Sequence, residues 1–338
     1  MSIVATLRRR ILTPDVSETS VAVRGFHVKS PEARERLETV GRSFLTGFAH
    51  AAEAKVPADA EDGLETVTAA YRGFAYEGAA MALAVRDALS IGRGRHVERF
   101  LGGRAEAHVY MAYVGVGWAM ARIPAFRRHT LYAADPVLRW LILDGYGFHQ
   151  AYFHTARYVH GHHRPDHLDW PGGGPSWYVH RVVDQGIGRA MWFVAGTDAS
   201  LLHTLVQRFP EHRRADLYAG AGLAACYAGG ADEAELRGLR DAAGPYAPEL
   251  AQGASFAAGA RVRAGLVVAH NEVATRVLCG LTPAEATAVN DEALRDLPTG
   301  GDLPAYEVWR QRIRARYADP ATDSPAPATQ PVPRERTR

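Results

Sequence analysis

The sequence predicts a mostly α fold: a multi-helical single globular domain preceded by a short extended N-terminal arm. Three observations carry this. Apolar residues recur at helical spacing through most of the chain. Val, Ile and Thr rarely cluster as strands require. The apolar vocabulary is Ala, Leu, Gly and aromatics, and with 338 residues at 47% hydrophobic the chain can build a sizeable core.

Residues 1–28 form the predicted arm, because "SVAVRGFHV" alternates apolar and polar for a few positions. The helical domain is expected over 29–318. Ser30, Pro31 and Glu32 read as a helix start, with Ser as N-cap and Pro at the first helical position. Leu37, Val40, Phe44 and Phe48 follow on one face. Further helices are expected over Leu64 to Leu89 and roughly over 104–121, 135–159, 186–208, 213–228, 233–241 and 248–264. Asp184, followed by Gln185 and Gly186, reads as an N-cap. Thr282 to Glu285 is a capping box with Pro283 at its favoured place. A last amphipathic helix covers Ala305 to Tyr317. The Gly- and Pro-rich stretch 162–177 is a loop, and 319–338, rich in Pro and polar residues, is expected to be a disordered tail.

Three pairs of segments echo each other in order, the clearest being "YVGVGWAMA" (113–121) with "YAGAGLAAC" (218–226). This leaves open a fold of two similar helical halves, about 60–161 and 186–281, joined by the loop. The alternative is that Ala- and Gly-rich helices resemble each other by composition.

A formal net charge of +2, with scattered basic groups, gives no electrostatic grip on nucleic acid. No apolar run approaches the ~20 residues of a bilayer span. The N-terminus lacks the order of a secretory signal, so the expectation is a cytoplasmic protein. Cys226 and Cys279 sit in apolar contexts and read as buried thiols. No nucleotide-binding motif is present: "GVGWAM" and "GAGLAA" are Gly-x-Gly inside helices.

Chemistry concentrates in two places. Glu77 is the one charge between Phe74 and Val85. A carboxylate so placed is either paired, with Arg72, Arg122 or Arg189, or functional as an acid–base group or metal ligand. "DGYGFHQAYFHTARYVHGHH" (144–163) holds five of the chain's 15 histidines. On a helix His149 and His154 stand about 140° apart, unlike the i, i+4 pair of helical metal sites. A metal therefore stays open only if ligands converge from several helices, such as Glu77, His108 and one of His149 or His154. His160, His162, His163 and His167 read as a solvated cluster at a helix end. The candidate catalytic residues are Glu77, His108, Tyr110, Asp144, His149 and His154. The geometric expectation is that Glu77 and either His149 or His154 face one aromatic-lined cavity, with His108 or Tyr110 nearby.

Six blocks carry a resemblance: "RGFAYEGAAMAL" (72–83), "AHVYMAYVGVGWAMARIP" (107–124), "DGYGFHQAYFH" (144–154), "DQGIGRAMWFV" (184–194), "RRADLYAGAGLAACYAGG" (213–230) and "PAYEVWRQRI" (304–313). In this order they resemble the UnbL-like family of enediyne biosynthesis proteins, over roughly residues 20–318. Gln150 departs from the acidic residue expected after His149. The resemblance implies a role beside an enediyne polyketide synthase, converting a linear polyene to the enediyne core by oxidation or cyclisation. It implies as partners an apolar polyene and other proteins of that pathway. It supplies no cofactor and no catalytic residues. The alternative function is a non-catalytic helical scaffold or polyene-binding carrier in the same pathway. Oligomeric state is left open.

Overall fold

The computed structural model describes residue 13 and residues 15–90 and 94–318. Of the described residues 75% are helical, and no strand occurs among them. Eight helices follow one another in a row: α1 (Pro31–Glu53), α2 (Ala69–Leu89), α3 (Val109–Arg122), α4 (Leu141–Phe153), α5 (Ser176–Val194), α6 (Glu211–Ala228), α7 (Ala247–Arg263) and α8 (Pro283–Ala293). Each packs on the one before and the one after. A ninth, α9 (Ala305–Ala318), lies against α7 and α8, and further helices, none longer than α8, fill the connections.

Glycine pairs set the spacing of this row. A Cβ on Gly115 of α3 would stand 2.2 Å from the Glu77 carbonyl oxygen of α2. Two residues on, a Cβ on Gly117 would meet the Ile142 carbonyl of α4 at 2.1 Å. Helix α4 repeats the device with Gly145 and Gly147, α5 with Gly186 and Gly188, and α6 with Gly220 and Gly222. In each case the first glycine abuts the helix before and the second the helix after. Residues two apart point about 200° from one another on a helix, so one Gly-x-Gly serves both neighbours. The contacts run in opposite senses, 117 with 142 and 145 with 114, so neighbouring helices are antiparallel. Glycine costs ~1 kcal/mol against alanine in a helix interior; backbone-on-backbone packing offsets it. The echo between 113–121 and 218–226 is one instance of this pattern, shared by α3 to α6.

The row curls. Tyr227, near the end of α6, packs edge-on against Phe74 of α2 at 5.1 Å between centroids. Arg261 of α7 donates to the carbonyls of Ala69, Ala70 and Tyr227, tying three helices together. The interior so enclosed holds the site.

Several boundaries differ from those the sequence suggests. The N-terminal arm is not extended: Val16–Thr19 is a 3-10 turn and Val21–Arg24 a short helix. Asp15 caps the first by accepting from Ser17 N (2.8 Å), and Gly25 at φ 67° ends the second. These local contacts outweigh a short alternation. The expected helix from Leu64 to Leu89 breaks at Thr68, and its first turn belongs to Ala58–Glu65. The expected 135–159 helix breaks at His154, followed by a π turn over Ala156–His160. Helix α5 starts at Ser176, so Asp184 is not a cap. It lies in mid-helix, buried, with both oxygens held by Arg213 at 3.0 and 2.6 Å. The Ser30 and Thr282 caps form as expected. The expected Pro-rich tail, 319–338, lies outside the described residues.

Candidate functional site

Two largely apolar cavities adjoin inside the curl. The first is enclosed by α1 to α6 and has about 780 Å³ of atom-free space, its mouth included. Leu37, Val40, Phe44, Phe74, Met81, Phe148, Tyr152, Phe153 and Phe193 make its walls. The exposed Arg122 and the part-exposed Glu18 mark where it reaches the surface. The second, about 970 Å³ on the same measure, lies among α3, α6, α7, α8 and α9, against Tyr110, Met111, Phe256 and Trp309. Arg189, Leu223 and Tyr227 line both, forming the partition between them.

The polar groups of this interior stem from the middle of the row. Glu77 directly precedes Gly78, the second glycine of α2, while Asp144 and Gln185 precede the first glycines of α4 and α5. Arg189 lies one turn past Gln185. Its Nε sits 2.9 Å from Asp144 Oδ1, a contact short enough for an ion pair but off the hydrogen-bonding direction. Asp144 Oδ2 accepts from Gln185 Nε2 at 2.8 Å, and the same amide reaches the Tyr306 hydroxyl of α9 at 3.2 Å. The Arg189 guanidinium lies 4.8 Å from the Phe148 ring centroid, a cation–π contact.

Glu77 is 3% exposed and faces the first cavity. Burial pushes its pKa up to about 7, against the pull of the nearby Arg189 charge. Asp144 adds to the rise, and the Trp118 indole opposes it weakly from outside good hydrogen-bond geometry. At neutral pH the carboxyl can therefore give or take a proton inside an aromatic, water-poor wall. Burial also raises the pKa of Asp144, with Arg189 and Gln185 opposing.

The other residues expected at the site fall elsewhere. Helix α4 does line the cavity, but through Phe148, Tyr152 and Phe153. His149, rotated about 100° past Phe148, lines neither cavity. It lies behind the wall, 5.6 Å from the Trp118 ring and 4.6 Å from Phe153 between centroids. Burial lowers its pKa to about 3, so it is neutral at physiological pH. His154 ends α4 and is exposed. The expectation that Glu77 shares a cavity with His149 or His154 is therefore not met. His108 precedes α3 and stacks on Tyr76 at 3.7 Å, its pKa lowered by burial to about 4. Tyr110 lines the second cavity. Arg189, which sequence reasoning weighed only as a partner for Glu77, is the group that joins the two spaces. Its signal was there: it is the one charge between Asp184 and Asp198.

No group of three or more His, Cys, Asp or Glu side chains among the described residues is placed to hold a metal ion. The convergence of Glu77 with His108 and His149 does not occur. No helix among the described residues is long and apolar enough to cross a membrane.

A curled row of glycine-paired helices around an apolar interior, with a buried carboxyl of raised pKa at its wall, defines an all-α protein with internal cavities. Residues 3–317 match a family described as a protein of unknown function (DUF1702), and the chain belongs to that family. No curated protein and no solved structure matches the chain.

Proposed function

We propose that this protein encloses a linear conjugated polyene and acts on it by proton transfer at Glu77, as a step toward an enediyne core. The observation that carries the reading is Glu77 itself: a carboxyl with a pKa of about 7 at the wall of an apolar, aromatic cavity. Aromatic faces suit the π-system of a conjugated chain, and two cavities in series suit a long one. A dry site also shields a reactive intermediate from water. The resemblance to the UnbL-like proteins supplies the pathway, including the polyketide synthase that would deliver the chain.

One observation favours the carrier alternative. None of the histidines weighed as candidate site residues lines the cavity, so Glu77 has no histidine beside it to pass a proton to. The two readings separate in a producing strain. Deleting the gene should cause a linear polyene to accumulate. Restoring the gene as Glu77→Gln should leave the block in place if Glu77 moves a proton, and relieve it if the protein is a carrier. A deletion strain that still makes the enediyne would overturn both.

A further inference from the structure

Arg189 is only 5% exposed, yet its buried Nε and Nη2 have no hydrogen-bond partner in the protein. Trp118 Nε1, on the first of these cavities, is buried too, and reaches Glu77 only outside good hydrogen-bond geometry. Buried donors are almost always satisfied, and exceptions mark places where something else supplies the acceptor. Asp144 answers the charge of Arg189 but does not occupy its donors. What remains are the Arg189 N–H groups at the partition between two apolar spaces, and the Trp118 N–H on the wall of the first, none with a well-aligned acceptor.

Charge decides which acceptor fits. Arg189 and Asp144 cancel. A ligand carboxylate would bring an uncompensated negative charge into a dry site, which is costly. A neutral oxygen brings acceptor lone pairs and no net charge. We propose that the ligand carries a carbonyl oxygen, as an aldehyde, ketone or thioester of the conjugated chain, held by Arg189 where the two cavities meet, with the Trp118 indole donating from the wall of the first. Space on either side lets the apolar chain run away from this oxygen in both directions. The inference rests on the interior taking a conjugated chain, and narrows that reading from a bare hydrocarbon to an oxygenated one.

The test uses three linear tetraenes of equal length: a hydrocarbon, an aldehyde and a carboxylate. Each is titrated into the full-length protein, with affinity read from tryptophan quenching and the aldehyde's absorption followed in parallel. The aldehyde should bind about tenfold or more tighter than the hydrocarbon. Its absorption should move to longer wavelength as the oxygen accepts hydrogen bonds. Arg189→Met should abolish both effects while hydrocarbon binding persists. Should that variant fail to fold, Trp118→Phe keeps the ring, removes one donor, and should shrink the absorption shift. Equal affinity for aldehyde and hydrocarbon, tightest binding of the carboxylate, or a shift unchanged by Trp118→Phe would overturn the proposal while the conjugated-chain reading stands. Failure of all three to bind would overturn both.

Discussion

Asp216 and Glu307 at the C-terminal side of the row, and Asp144 and Glu77 at its centre, are all buried carboxylates facing arginines. Their surroundings differ. Asp216 accepts from Arg181 at 2.9 and 3.2 Å and from Arg310 at 2.9 Å. Glu307 accepts from Arg181 (3.2 Å), Arg314 (2.8 Å) and Arg310 (3.4 Å), while Arg310 Nε is held by Gln252 at 3.1 Å. Every carboxylate oxygen there has a donor. The arginines hold the Glu307 pKa down to about 2 despite burial. At the centre one arginine serves two carboxyls, its donors are left over, and burial wins: Glu77 rises to about 7. The saturated cluster fastens α9 into the fold. The unsaturated one leaves donors over and a carboxyl of raised pKa at a cavity wall.

The largest test of this contrast is on stability. Arg310→Met leaves Asp216 and Glu307 short of a donor in a buried site and should cost about 3–5 kcal/mol, read by chemical denaturation. Arg189→Met should cost less, because Asp144 keeps its Gln185 hydrogen bond and Glu77 can take a proton. Equal losses would mean that the central cluster is as structural as the other.

Much of this was legible in the sequence, and the part that was not has physical reasons. Ser30 and Thr282 announce their helices because capping is local. Glu77 is conspicuous as the lone charge in an apolar stretch. Arg189 was among the partners the sequence offered it, but the pairing of Arg189 with Asp144 was not legible, because that contact spans two helices whose register depends on glycine contacts between backbones. Composition drew attention to the histidines instead. A helix presents a different residue every 100°, and at that resolution Phe148 faces the cavity where His149 does not.

Glu77→Gln sharpens the contrast in two ways. If proton transfer is its role, turnover should fall by about 10²–10⁴-fold. Stability should move the other way. Glu77 has a folded pKa of about 7 against an ordinary 4.5, so the folded state holds its proton more tightly. Its contribution is fully present below pH 4.5 and is lost as pH rises through 7. At pH 8 the amide should therefore be more stable than the wild type by about 1–3 kcal/mol, and near pH 4 the two should match. Denaturation curves across this range check it. Loss of stability at pH 8 would place Glu77 in the structural class with Glu307.

The smallest effect at neutral pH is expected from His149→Phe. His149 touches the cavity only through the rings of Trp118 and Phe153, and its Nδ1 makes one long contact, 3.3 Å, with Gln150 Oε1. A phenyl ring keeps the aromatic packing and gives up that weak hydrogen bond, so stability at pH 7 should change by no more than about 1 kcal/mol. Polyene binding should be unchanged. The variant should show itself in acid. With a folded pKa near 3 against 6.5 for an ordinary histidine, the unfolded chain takes up a proton that the folded one refuses. That contribution to stability is complete above pH 6.5 and is lost as pH falls toward 3. Phenylalanine has no such proton, so the variant should lose less stability than the wild type over that interval. A variant that instead loses ligand binding at pH 7 would return His149 to the cavity and reopen the histidine-based site.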